Sequence, residues 1–261
     1  MILQIDAGNS RIKWRVLDGT AAVFQGNQPT ASVLAGEPLR LPAVAGLRLA
    51  QLSSVAGDTV VANLSRQLRE QYRIDLHVAK VSAQVGAVSC GYSVPEKLGV
   101  DRWMAVLAVF QKTGRASVVV DAGSAVTIDL ITEDGVHHGG YIVPGIKLLQ
   151  QSLWKGTDQV KVDQLACTNT LGPGVSTDEA VTRGCTLMLV ALIERLAAEH
   201  SADLIITGGD ALLLKPQLAT QVDYYADLVL DGLSHADRNA GHGGRLPACG
   251  IGAIHQRLKP R

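Results

Sequence analysis

The segment Ile5-Asp6-Ala7-Gly8-Asn9-Ser10 returns later in the chain as Val120-Asp121-Ala122-Gly123-Ser124-Ala125. No other feature of the 261 residues constrains the fold as strongly. The flanks repeat as well. Apolar runs precede each Asp, at residues 2–5 and 117–120, and second apolar runs follow each turn, at 12–17 and 126–131. Each second run closes on Asp-Gly, at Asp18-Gly19 and Asp134-Gly135. Asp-Gly between apolar strands is a hairpin signal. The pattern therefore predicts strand, acidic Gly turn, strand, hairpin, strand, twice over. One Asp-x-Gly turn is weak evidence, because both residues are common in turns. The same turn in the same setting twice predicts two related α/β domains, residues 1–114 and 115–261, by duplication.

The remaining segments fit this scheme. Val60, Val61, Leu64, Leu68 and Tyr72 recur at helical spacing, with Arg66, Arg69, Glu70 and Arg73 interleaved. Residues 76–79 and 203–207 read as strands, and 227–230 as another. Residues 103–110, opened by Asp101, residues 186–198 and residues 246–258 read as helices. The Pro- and Gly-rich stretch 26–46 reads as a loop, and 239–244 is also Gly-rich. Hydrophobic residues make up 47% of the chain, enough to build a core and to exclude disorder as the main state. Twenty-four basic residues balance 24 acidic ones, which argues against binding nucleic acid or anionic lipid mainly by charge. The cysteines, Cys90, Cys167, Cys185 and Cys249, form neither a CxxC pair nor a zinc spacing, and read as reduced thiols. The N-terminal residues do not resemble a signal peptide, and the most apolar helical stretch, 187–193, is far short of the ~20 residues that span a bilayer. The expectation is a cytoplasmic protein with neither a nucleic-acid nor a membrane partner.

An Asp-x-Gly turn at a strand end has a definite chemical use. Gly permits close approach of a ligand to the main chain. Successive N–H groups there form an anion-binding concavity. The Asp can hold a hydrated magnesium ion. The first turn offers Asp6, Gly8, Asn9 and Ser10, with Lys13 on the following strand as a point charge for phosphate. The second offers Asp121, Gly123 and Ser124. Two such turns facing one another would clamp a polyphosphate from both sides. Thr207-Gly208-Gly209, after an apolar strand, removes side chains where a flat ring could lie against backbone.

Two Asp-x-Gly turns and a late Gly-Gly resemble the superfamily of acetate and sugar kinases, heat-shock chaperones and actin. Within it, the chain resembles the type III pantothenate kinases. The matching motifs are Asp6-Ala7-Gly8-Asn9-Ser10-Arg11-Ile12-Lys13, Gly99-Val100-Asp101-Arg102, Asp121-Ala122-Gly123-Ser124-Ala125, Gly139-Gly140-Tyr141-Ile142-Val143-Pro144-Gly145 and Thr207-Gly208-Gly209. They stand in the family's order and span nearly the whole chain. The resemblance implies two duplicated ribonuclease-H-like (actin-like ATPase) domains with Mg-ATP bound in the cleft between them. It implies phosphorylation of pantothenate, the first step toward coenzyme A. It assigns Asp6 to magnesium and residues 6–13 (Asp6, Ala7, Gly8, Asn9, Ser10, Arg11, Ile12 and Lys13) with Ser124 to ATP. It assigns Asp121 to a potassium or ammonium ion. It assigns Tyr92, Gly99, Val100, Asp101 and Arg102 to pantothenate. It implies a homodimer, with Thr177 reaching the partner's substrate site. Ser124 replaces a threonine frequent in the family and keeps the hydroxyl. The family often draws a pantothenate contact from the region of residues 154–164, where no residue of this sequence is assigned to it.

The pair Asp101-Arg102 also carries chemistry of its own. Phosphoryl transfer to an alcohol needs positioning, charge neutralisation and a group to accept the hydroxyl proton. Asp101 supplies the last, and Arg102 offers a bidentate partner for the carboxylate of pantothenate. The plainer alternative is a helix N-cap at Asp101 followed by a solvated arginine. His137-His138 does not read as a metal pair, because neighbours on a strand point to opposite faces. Trp14, Trp103 and Trp154 read as packing residues rather than base-stacking platforms. Two further readings stand beside the kinase: a transcription accessory factor of the same family, and a kinase of the superfamily acting on another alcohol.

Overall fold

The computed structural model describes residues 1–156 and 170–236. In the first half the two apolar runs around the Asp6 turn pair as β1 (Ile2–Ala7) and β2 (Arg11–Asp18), and the Asp-Gly hairpin leads into β3 (Ala21–Pro29). Then follow α1 (Thr30–Leu34), β4 (Leu49–Ser54), α2 (Asp58–Tyr72) and β5 (Leu76–Val78). A two-residue hairpin, β6 (Gln84–Val85) with β7 (Val88–Ser89), precedes α3 (Val100–Thr113). The second half opens again with a meander, β8 (Ser117–Ala122), β9 (Ala125–Ile131) and β10 (His137–Pro144). It continues through α4 (Ile146–Gly156), α5 (Thr177–His200), β11 (Asp203–Thr207), α6 (Ala211–Leu214), β12 (Val222–Tyr224) and α7 (Leu228–Ala236).

The two sheets have the same topology. Their strand orders are β3-β2-β1-β4-β5 and β10-β9-β8-β11-β12, so the sequence echo marks equivalent central strands. In both, the meander is antiparallel and the later strands add in parallel. The protein is α/β with two ribonuclease-H-like sheets.

Alternation along β8 shows how the layers pack. Val118, Val120 and Ala122 face a core with α5, whereas Val119 faces α3 and α7. A strand buried on both faces reads as a continuous apolar run, as residues 117–120 do. On β1, Leu3, Ile5 and Ala7 face α2, but the opposite face is polar. There Gln4 Nε2 donates to Gln51 Oε1 (3.1 Å) and Ser234 Oγ (3.0 Å), and Gln51 Nε2 donates to the Leu233 carbonyl (3.1 Å). Arg15 and Lys112 both pair with Asp231, at 2.7 and 2.9 Å. Helices α3 and α7 thus lie between the sheets, joined to the second by apolar packing, while α7 is joined to the first by hydrogen bonds and the Arg15–Asp231 ion pair.

Three expectations change. Residues 228–236 form a helix, not a strand over 227–230. Leu228, Val229, Leu230 and Leu233 are all buried in the layer between the sheets, and tertiary packing overrides a short apolar run. The stretch 26–46 holds the end of β3 and the whole of α1, and is not loop throughout. Strand β4, central to the first sheet, was not anticipated; its sequence Leu-Ala-Gln-Leu-Ser-Ser lacks β-branched residues. The segment 239–244 and the helix expected at 246–258 lie outside the described residues, as do Cys167 and Cys249 and most of 154–164.

Contact between α3 and α7 depends on Gly232, where a Cβ would sit 2.1 Å from the Met104 carbonyl oxygen. Gly232→Ala should force the helices apart and cost about 1–3 kcal/mol, in the range for overpacking. Chemical denaturation of the two proteins checks this; equal stability would mean that the helices do not meet there.

Candidate active site

The Asp6 and Asp121 turns lie at equivalent ends of β1 and β8, and they touch. Ser10 Oγ and Ser124 Oγ are hydrogen bonded at 2.8 Å across the boundary between the two halves. Each turn is tied down from behind. Gly8 N–H donates to the Arg11 carbonyl (3.0 Å) and Gly123 N–H to the Ala125 carbonyl (3.0 Å). Thr30 donates through its hydroxyl to the Gly8 carbonyl (2.7 Å) and through its N–H to the Ser10 carbonyl (3.1 Å). Gly145 N–H donates to the Ser124 carbonyl (3.0 Å).

Three carboxylates sense one another here. Desolvation by burial, followed by repulsion from Asp121 and Asp101, raises Asp6 to about 8, against an opposing pull from Lys13. Burial raises Asp121 to about 6, with repulsion from Asp101 adding and Lys13 opposing. Burial also raises Asp101, and the hydrogen bond from the Arg102 N–H opposes it. Lys13 stands opposite Asp6 in the β1–β2 register, so it serves both turns. Gly208 closes the floor. Its φ is +99°, and a Cβ there would lie 2.4 Å from Asp121 Oδ1, so only glycine fits. Asp210 N–H donates to the Ala122 carbonyl (2.8 Å), which seats the Gly-Gly turn against the second Asp turn.

This donor set fits a hydrated cation with its polyphosphate. The excess negative charge is mutual, half-buried and faced by one lysine. Among the described residues no three His, Cys, Asp or Glu side chains come close enough to enclose a metal. Magnesium held by one or two carboxylates, with water and phosphate oxygens completing its shell, needs no such enclosure.

The other expected site residues sort themselves differently. Ala7 and Ile12 are fully buried, with their side chains in the first core. The Arg11 guanidinium pairs with Asn27 on β3. Asn9 and Ser10 are exposed at the turn. Gly99 is the N-cap of α3, with Val100, Asp101 and Arg102 in its first turn, so Asp101 is not the cap. Its carboxylate instead accepts the Arg102 N–H at 2.8 Å.

Arg102 corrects the sequence reading. It was expected to offer its fork to a substrate acid, yet Asp129 on β9 takes that fork. Arg102 Nε donates to Asp129 Oδ2 (2.9 Å) and Nη2 to Oδ1 (2.6 Å), and Nη1 donates to Tyr92 Oη (2.9 Å). Asp129 had not been singled out. The signal was an acid inside the apolar run Ala-Val-Thr-Ile-Asp-Leu-Ile, since a buried carboxylate must have a partner. His137 also bonds Asp129, through Nε2 at 2.8 Å, while His138 is exposed. Thr177 lies apart, exposed in the first turn of α5, where Ser176 Oγ caps the Glu179 N–H at 3.3 Å.

The family model of type III pantothenate kinase matches residues 2–199. A type III pantothenate kinase of Pseudomonas aeruginosa is 36% identical over 245 residues, covering 90% of this chain and 98% of that protein. One from Teredinibacter turnerae is 36% identical over 242 residues, covering 89% and 97%. The chain belongs to the type III pantothenate kinase family. Among solved structures, a Baf family transcriptional activator from Campylobacter jejuni superposes with a TM-score of 0.60 at 21% identity, covering 91% of this chain and 98% of that one. A 2-dehydro-3-deoxygalactonokinase protein from Sinorhizobium meliloti gives 0.57 at 14% identity, covering 92% and 99%. These likenesses show the shared fold.

Burial of the Asp6 carboxylate has a thermodynamic sign. An acid raised on folding binds more protons folded than unfolded, so its contribution to stability falls as pH rises from about 4 to 8. Asp6→Asn should therefore stabilise the ligand-free protein, with a gain in melting temperature that grows between pH 5 and pH 8. A pH-independent difference would contradict burial and repulsion as the cause.

Proposed function

We propose that this protein transfers the γ-phosphoryl group of ATP to the primary hydroxyl of pantothenate, giving 4'-phosphopantothenate. The observation that carries the reading is the convergence of Asp6, Asp121 and Asp101 at two opposed Asp-x-Gly turns, in a chain of this family. The halves 1–114 and 115–261 are taken as the two domains that flank the cleft. The N–H groups of Gly8, Asn9 and Ser10, the hydroxyls of Ser10 and Ser124, and Lys13 would receive the phosphates. Asp6 would hold magnesium, and Asp121 a potassium or ammonium ion. Bound cations there would offset the negative charge of the three carboxylates and the phosphates.

The transfer needs little covalent work from the protein. The substrate hydroxyl oxygen bonds to the γ-phosphorus, and its proton passes to the Asp101 carboxylate. The bond from γ-phosphorus to the β–γ bridging oxygen breaks, and ADP leaves with that electron pair. Burial raises Asp101, which suits a group that must accept a proton. Tyr92, Gly99 and Val100 would line the pantothenate side. Arg102, with its fork engaged, would act there through Tyr92 and a remaining N–H.

A homodimer is proposed from Thr177 and its surroundings. Val175 is 92% exposed and Met188 62%, with Leu187 beside it on α5. A symmetric contact over this apolar face would carry Thr177 to the partner's site. We also propose a cytoplasmic location; among the described residues no helix is long and apolar enough to cross a membrane. The accessory-factor reading is not favoured, since relatives matched over most of their length are named as kinases.

Two measurements test these assignments. Asp101→Asn should bind Mg-ATP like the parent, by titration calorimetry, and lose about 10²–10⁴-fold in kcat, as for a missing general base. A rate near the parent's removes Asp101 from that role. Light scattering should give a dimer for the parent and a monomer for Leu187→Asp/Met188→Arg, with a raised pantothenate KM. A monomeric parent would reject the shared site.

A further inference from the structure

The group Tyr92, Arg102, Asp129 and His137 is more elaborate than substrate binding requires. Arg102, Asp129 and His137 are only 4%, 2% and 0% exposed. Burying an ion pair this deeply is a poor way to stabilise a fold, because desolvation offsets the attraction.

Asp129 accepts three hydrogen bonds, two from the Arg102 fork and one from His137 Nε2. The acceptor fixes the imidazole tautomer: Nε2 carries the proton. Nδ1 is buried and has no hydrogen-bond partner among the described residues, so a second proton there would have no acceptor. Arg102 with Asp129 sums to no charge. Arg102 Nη1 donates to Tyr92 Oη, so the Tyr92 proton points elsewhere. On the other side, Arg102 is adjacent to Asp101. A Cβ built on Gly99 would lie 2.6 Å from Asp101 Oδ1 and 3.6 Å from Arg102 Cδ. The arginine stem and the Asp101 carboxylate therefore share one small space over Gly99. Rotation about the stem would bring the guanidinium onto Asp101. An Arg-Asp101 fork would occupy the oxygens that must receive the substrate hydroxyl.

We propose that Asp129 and His137 are positioning residues, which hold the Arg102 guanidinium off Asp101 and keep that carboxylate free for the acceptor hydroxyl. Asp129 supplies the competing carboxylate, and His137 supplies the third bond that locks its orientation. Gly140 completes the arrangement from β10, since a Cβ there would come within 2.9 Å of Arg102 Nη2. The proposal rests on Asp101 as the acceptor of the hydroxyl proton.

The test is a double-mutant cycle on kcat at saturating pantothenate and Mg-ATP. Asp129→Asn keeps the shape but frees the arginine, and should lower kcat by about 100-fold while leaving the KM for ATP unchanged. Arg102→Gln added to Asp129→Asn should then restore about tenfold, because the competing cation is gone; such a gain from a second substitution marks direct coupling. A merely structural role gives a double variant as slow as the single or slower, and that result overturns the proposal. Should Asp129→Asn fail to fold, His137→Gln and His137→Leu decide the matter. Gln can still donate to Asp129 and should stay near the parent rate, whereas Leu should fall about tenfold; equal rates overturn the proposal. Failure of the underlying reading looks different, because Asp101→Asn would then keep its turnover in the otherwise unaltered protein.

Discussion

Burial of Asp6, Asp121 and Asp101 near one another is the constraint on which the site depends. Each carboxylate is raised first by burial; Asp121 and Asp101 add repulsion at Asp6, and Asp101 adds it at Asp121. A fold under no functional demand would separate them or pair them. Here two equivalent strands bring Asp6 and Asp121 near one another, and the first turn of α3 brings Asp101 close to both. Lys13 relieves part of the repulsion; the remainder is an electrostatic demand for cations, which Mg-ATP and a monovalent ion would meet.

The scaffold keeps this strain local. Matching sheets place the two turns in register, and Thr30 and Gly145 tie each turn from behind. The layer between the sheets treats its two sides unequally. Helices α3 and α7 pack on the second sheet through Val119, Ile131 and Ile205, and α7 is held to the first through Gln4, Gln51 and Arg15. Arg102 extends the same helix into the site, where Asp129 from β9 holds it. The start of α3, and Asp101 with it, is therefore fixed by the second half of the chain, although α3 belongs to the first half in sequence.

Much of this was legible in the sequence, for reasons that differ by residue. The repeated Asp-x-Gly turn announced the duplication, because turn chemistry and apolar flanks are local. Helix α2 followed from its spacing, and β11 from its run before Gly208. Partnership was harder to read. Asp129 lies inside a run that reads from sequence only as an apolar strand, and only the fold shows it facing Arg102 from 27 residues away. Arg102 was read as a substrate clamp because its partner could not be seen. The run Leu228-Val229-Leu230 is too short to distinguish a strand from helix α7; burial against α3 through Gly232 does. The Ser10–Ser124 contact confirms nothing about chemistry by itself, but it brings together two turns that the sequence could only pair by analogy.

The most direct measurement is ADP release by the purified protein with Mg-ATP, with and without pantothenate, in potassium and then in sodium buffer. The account predicts release that depends on pantothenate and collapses in sodium. Release indifferent to pantothenate, or none from folded protein in either buffer, would contradict it.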